Sequence, residues 1–122
     1  MKRWMGVAVL ALCGAAQAMP PAEEAKAKAL LARVEAAKDV VFVRNGTDYG
    51  SANAAEFLRR KCVKEWGKFA TAREFVARCA SVSSTSGKPY QMKVAGGAPR
   101  ASEDVLGEWL AAIEAEGKAA PR

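Results

Sequence analysis

The chain has 122 residues, 51% of them hydrophobic and 26% charged, with 19 Lys+Arg against 13 Asp+Glu. That length suits one small domain and excludes a two-domain enzyme, and the composition is globular rather than disordered or fibrous. There is no histidine, which removes Ser-His and Cys-His catalysis and every His-ligated metal site.

The chain opens like an export signal. Lys2 and Arg3 precede an uncharged apolar run from Met5 to Ala16, and Ala16-Gln17-Ala18 places small residues where a signal peptidase reads. Residues 1–18 are therefore expected to be cleaved before Met19, leaving a single domain over residues 19–122 in the periplasm. A membrane anchor fits less well, because twelve apolar residues span only about 18 Å as a helix, against a hydrocarbon core of ~30 Å. Cys13 follows Leu12, which is too large for a lipidation box. Cleavage takes two basic and no acidic residues, leaving 17 against 13, a balance of +4. Export argues against a nucleic-acid partner despite this charge, and no stable membrane insertion of the mature chain is expected.

Pro20-Pro21 starts a first helix, with Glu23 and Glu24 in its first turn and Ala27, Leu30, Leu31, Val34 and Ala37 forming its apolar stripe. Val40 to Val43 is β-branched and aromatic, and Asn45-Gly46 signals a tight hairpin whose second strand covers Thr47 to Tyr49. Ser51 or Asn53 is expected to cap a second helix reaching about Trp66, with Ala54, Leu58, Cys62 and Trp66 inward. Thr71 and Glu74 form a capping box for a third helix with Phe75, Val76 and Cys79 inward. Ser81 to Gly87 reads as a loop, and Tyr90 to Val94 as a half-buried strand. Gly96-Gly97 turns the chain, and Pro99 restricts the next residues to an edge or loop. Ser102 is expected to cap a last helix with Val105, Leu106, Trp109, Leu110 and Ile113 inward, ending near Gly117. The fold class is α+β, a small antiparallel sheet with four helices in the order α-β-β-α-α-β-α, to which a short final strand could be added.

With Cys13 in the leader, the domain keeps Cys62 and Cys79. An even count in an oxidising compartment reads as a disulfide. Folding the chain near residue 70 brings the two positions opposite each other, so the bridge is expected to cross an antiparallel helix pair. Two thiolates without a third Cys or a His make a metal site weak, and neither a metal nor a cofactor is expected.

Three segments together carry a family resemblance. They are Phe42-Val43-Arg44-Asn45-Gly46-Thr47, Ala54-Ala55-Glu56-Phe57-Leu58-Arg59-Arg60-Lys61 and Ala80-Ser81-Val82-Ser83-Ser84-Thr85-Ser86-Gly87-Lys88-Pro89-Tyr90. The chain resembles the YfeK-like family of small exported bacterial proteins, a group of unknown function, over about residues 22 to 113. The resemblance implies a bacterial envelope location and brings no activity, cofactor or partner. In that family the position of Phe57 is often histidine, so any role of that histidine is lost here.

The candidate site residues lie in these segments. Ser84-Thr85-Ser86-Gly87-Lys88 fails the phosphate-loop pattern, because Val82 and Pro89 stand where glycine and Ser or Thr are needed. A Ser-Lys pair, with Lys88 as base for Ser84 or Ser86, needs a buried lysine, which an exposed serine-rich loop does not offer. A purely structural role competes with both: hydroxyls bond backbone groups, Gly87 takes a positive φ, Pro89 stiffens strand entry, and Tyr90 buries its ring with its hydroxyl on a partner. Arg44 either pairs with Asp48 and solvates the strand end or joins Arg59 and Lys88 in an anion-binding corner. Arg60, Lys61, Lys64 and Lys68 form a basic strip that reads as a solvated helix face or as a contact for anionic headgroups or cell-wall polymer. The leading expectation is a non-enzymatic envelope protein binding a small anionic ligand or an envelope protein through Arg44, Asn45, Arg59, Ser84, Ser86, Lys88 and Tyr90. Alternatives are an envelope enzyme using the Ser-Lys pair, and an inhibitor or immunity-type partner of another exported protein.

Overall fold

The structure is a computed structural model that describes residues 19–119. The expected leader, residues 1–18, lies outside the described residues.

Helix α1 spans Pro21–Ala36 and starts where Pro20 and Pro21 fix the chain into helix-entry geometry. Its buried residues, Ala27, Leu30, Leu31 and Val34, recur at helical spacing and pack into one core with Leu58, Phe75 and Leu106. Strands β1 (Val40–Arg44) and β2 (Thr47–Tyr49) form the hairpin, with Asn45 at φ +51° and Gly46 at φ +81°, the left-handed pair that a two-residue turn requires. Helix α2 (Ser51–Cys62) comes next, continued by a 3-10 turn over Val63–Lys68 and then α3 (Ala72–Arg78). Strand β3 (Gln91–Val94), the two-residue β4 (Arg100–Ala101) and α4 (Ser102–Ala119) complete the chain.

The sheet is antiparallel in the order β2-β1-β3-β4. The α+β class and element order agree with the sequence reading, with β4 as the short additional strand at the edge after Pro99. Pairing of Phe42 with Tyr49 and Met92, and of Arg44 with Thr47, fixes which side chains share a face. Val40, Phe42, Met92 and Val94 point toward the helices, and Arg44 continues that same alternation. Val43, Asp48, Gln91 and Lys93 point the other way.

Several local expectations are corrected. Ser51 does not cap α2: Gly50 holds the N-cap position, and the Ser51 hydroxyl donates to the Glu35 carbonyl 3.2 Å away, tying α2 to the end of α1. The α-helical geometry of α2 stops at Cys62, and Trp66 lies in the 3-10 turn, where its ring packs edge-on to Phe75 at 5.3 Å. Ser102 is fully buried and its hydroxyl has no partner among the described residues; its backbone N–H instead donates to the Tyr90 carbonyl at 2.9 Å, so α4 is fastened to β3 through the main chain. Helix α4 extends to Ala119, in keeping with the expected end near Gly117. The Thr71 cap on α3 forms as read, its hydroxyl accepting from Glu74 N at 3.1 Å, while the Glu74 carboxylate reaches back to Ala70 N.

Cys62 and Cys79 are joined by a disulfide with Cα atoms 5.9 Å apart, linking the end of α2 to the end of α3. Among the described residues no helix is long and apolar enough to cross a membrane.

Candidate functional site

Arg44 is the last residue of β1 and lies on the helix-facing side of the sheet, so its side chain runs in under α2 instead of out to solvent. Its guanidinium lies 4.3 Å from the centre of the Phe57 ring and 5.3 Å from that of Tyr49, and Nη2 donates to the Tyr49 hydroxyl at 3.3 Å. Two aromatic contacts hold this cation in one orientation. Its Nε is buried without a partner among the described residues. Asp48, the acid expected beside it, is on the opposite face of the sheet and pairs with Lys93 at 3.2 Å. Adjacent strand positions point to opposite faces, so Val43, not Arg44, shares a face with Asp48.

Across from Arg44, α2 and the 3-10 turn present Phe57, Arg60, Lys61 and Lys64. Spacings of three and four place these four residues on one helix face. The third side is the serine loop. Ser83 is buried and accepts from Ser86 N at 3.3 Å; its backbone N–H donates to the Lys88 carbonyl, and its carbonyl accepts from Gly87 N, both at 2.9 Å. Asn45 ties this loop to the hairpin: its Nδ2 donates to Ser83 Oγ at 3.3 Å, and Ser86 Oγ donates to its Oδ1 at 2.7 Å. The groove between these three sides has a volume of about 780 Å³, with Tyr90 and Glu65 also in its wall.

Lys61 organises this region. Its ammonium donates to the carbonyls of Cys79 (2.8 Å) and Val82 (2.6 Å) and to the Tyr90 hydroxyl (2.9 Å), so all three N–H groups are used inside the protein. Burial pushes the Lys61 pKa below the ordinary lysine value; the Glu65 charge opposes this and the Arg44 charge adds to it. Burial likewise raises the Tyr90 phenol, which stays protonated. Tyr90 meets the expectation of a buried ring with a bonded hydroxyl, its ring 5.1 Å from that of Phe42.

The groove therefore gathers four cations against one acid, Glu65. Among the described residues neither Arg44, Lys64 nor Glu65 forms an ion pair, while Arg60 pairs with the exposed Glu56 at 2.9 Å. No cluster of metal-ligating residues occurs among the described residues.

Of the residues singled out from sequence, Arg44, Ser84 and Tyr90 line the groove, and Asn45 and Ser86 hold its loop in place. Arg59 is not brought to them. It is two positions from Phe57 and Lys61, about 200° around the helix, and it pairs with Glu35 at 2.9 Å beside a separate groove containing Leu31, Val63 and Trp66. Lys88 is exposed and outside the lining; its backbone N–H donates to Ser86 Oγ at 3.2 Å. Their places are taken by Arg60, Lys61 and Lys64, and the spacing of that strip with Phe57 was the available signal.

Residues 21–114 match the model of a family of unknown function, DUF5329. The chain belongs to this family. It is also 40% identical over 68 residues to a protein of Salmonella typhimurium named "Uncharacterized protein YfeK", covering 56% of this chain and 57% of that one. The chain thus spans less than two thirds of that relative's length. The resemblance read from the sequence is to this group, whose function is unknown. No solved structure matches. All of the groove residues fall inside the family match.

Proposed function

We propose that this is an exported, disulfide-stapled binding protein whose groove between β1, α2 and the serine loop takes an anionic ligand. The carrying observation is the convergence of Arg44, Arg60, Lys61 and Lys64 on one cavity with Glu65 as its single acid. Lys61 spends its donors internally and supplies field, whereas Arg44 and Lys64 retain donors for a ligand. The aromatic contacts to Arg44 fix a guanidinium in advance, which lowers the ordering cost of binding. Export is supported by the leader-like first eighteen residues and agrees with a disulfide. The loop supports binding better than catalysis: Ser86 is committed to Asn45, and the exposed Lys88 lacks the buried setting that a Ser-Lys base needs.

The test is a ¹⁵N NMR titration of residues 19–122 with phosphate, citrate and acetate at constant ionic strength. Shifts gathered on Arg44, Lys64 and the Ser83–Thr85 loop with at least one anion support the reading. Shifts no larger than those of a chloride control end it.

A further inference from the structure

Resting on that reading, we infer that the groove selects a phosphate monoester, a tetrahedral dianion, over a carboxylate. The donors stand on three sides. Arg44 comes from the strand wall, Arg60 and Lys64 from the helix wall one turn apart, and the hydroxyls of Ser84 and Thr85 from the loop. A carboxylate offers two oxygens in one plane and is satisfied by a single guanidinium fork. A phosphoryl group directs three terminal oxygens outward and can meet all three walls at once. The charge also fits. Arg44 and Lys64 have no ion pair among the described residues, and Arg60 is held only by an exposed pair with Glu56, whose side chains are 67% and 66% exposed and which exchanges readily. Glu65 offsets part of this charge, leaving a balance that suits two negative charges better than one. The cavity of about 780 Å³ is far larger than a bare phosphate and leaves room for a body the size of a sugar.

The experiment is calorimetric titration of residues 19–122 with inorganic phosphate, glucose 6-phosphate, acetate and citrate at fixed ionic strength, between pH 5 and pH 7.5. Binding of glucose 6-phosphate is expected to strengthen across this range as the monoester gains its second charge near pH 6. That of inorganic phosphate strengthens only toward the upper end of the range, where it becomes a dianion, while acetate binding stays flat. Lys64→Ala, at an exposed position, and Arg44→Lys, which keeps the charge but gives up the planar fork stacked on Phe57, are each expected to weaken phosphate binding about tenfold, the loss typical of a hydrogen bond to a charged group. Lys93→Ala, on the far face of the sheet, is the control and is expected to change nothing. Equal affinity for phosphate and glucose 6-phosphate identifies the bare ion as the ligand chemistry; tighter binding of the ester identifies a carried phosphate. Citrate or acetate binding as tightly as phosphate, with the same sensitivity to Arg44→Lys, overturns phosphate selectivity and leaves the anion groove standing. No binding of any of the four removes both.

Discussion

The ammonium of Lys61 sits 2.9 Å from the hydroxyl of Tyr90 and 4.7 Å from the centre of its ring. One cation thereby holds the start of β3, the end of α3 and the serine loop together, since its other two bonds go to Cys79 and Val82 carbonyls. It lies one residue before Cys62, whose disulfide makes a second link between α2 and α3.

Lys61→Met is expected to lower unfolding stability by about 2 kcal/mol, because three acceptors lose their donor in a partly dry site. Tyr90→Phe removes one of those acceptors and is expected to cost about 1 kcal/mol alone. Urea unfolding of both single variants and the double variant measures their coupling. Strict additivity would show that the Lys61–Tyr90 contact contributes nothing.

The disulfide closes a segment of 17 residues' separation, which the chain-entropy model values at about 3 kcal/mol. Thiol titration of the unfolded, unreduced protein is expected to find no free thiol at Cys62 or Cys79. Replacing both with alanine is expected to lower the denaturation midpoint by an amount consistent with that figure. Two reactive thiols at these positions in the unfolded, unreduced protein would remove the staple.

Much of this fold could be read from local chemistry. Asn45-Gly46 dictates the hairpin, Thr71 and Glu74 start α3, and the midpoint between Cys62 and Cys79 locates the bend. The site was legible only in part. Arg44 comes after Val40 and Phe42 at intervals of two, so strand alternation already placed it on the inner face. Arg59 and Lys88 carry the right charge, but helix rotation turns Arg59 toward Glu35 and the loop leaves Lys88 outside. Lys61 was the hardest residue to read. Two of its acceptors are backbone carbonyls 18 and 21 residues away, and carbonyls leave no trace in side-chain pattern. The same limit hid Ser51 and Ser102, whose sequence positions suggest caps but whose polar atoms lie under tertiary packing.

Glu23 links α1 to α3. Its Oε1 accepts from Ala72 N at 3.0 Å, at the first turn of α3, and its Oε2 pairs with Lys26 at 2.9 Å. The Lys26 bond first, and the Ala72 N–H second, hold the Glu23 carboxyl below its ordinary value of 4.5. A carboxyl depressed in the folded state stabilises fully above its unfolded pKa, and that contribution disappears as pH falls through the folded value. Stability is therefore expected to drop below about pH 4.5, and Glu23→Gln to flatten that part of the profile while costing about 1 kcal/mol at pH 7. Thermal melts of both proteins from pH 3 to pH 7 check this. Parallel profiles would exclude Glu23 as a contributor to acid sensitivity.

Met19 is only 2% exposed and belongs to the same core cluster as Leu30 and Phe75. The small residues Ala16 and Ala18 place the expected signal cleavage immediately before it, so the mature chain would begin with a side chain that the core needs. Mass spectrometry of the exported protein is expected to show a first residue of Met19 and no lipid. Cleavage two or more residues later would discard a buried side chain and cut into Pro20, which enters the helix. Met19→Ala in the mature protein is expected to cost about 2 kcal/mol, the low end for emptying a buried methionine site, because a chain end can relax into the gap. A mature chain starting beyond Met19, or a Met19→Ala variant as stable as its parent, would show that the folded unit begins at Pro21 and not at the cleavage site.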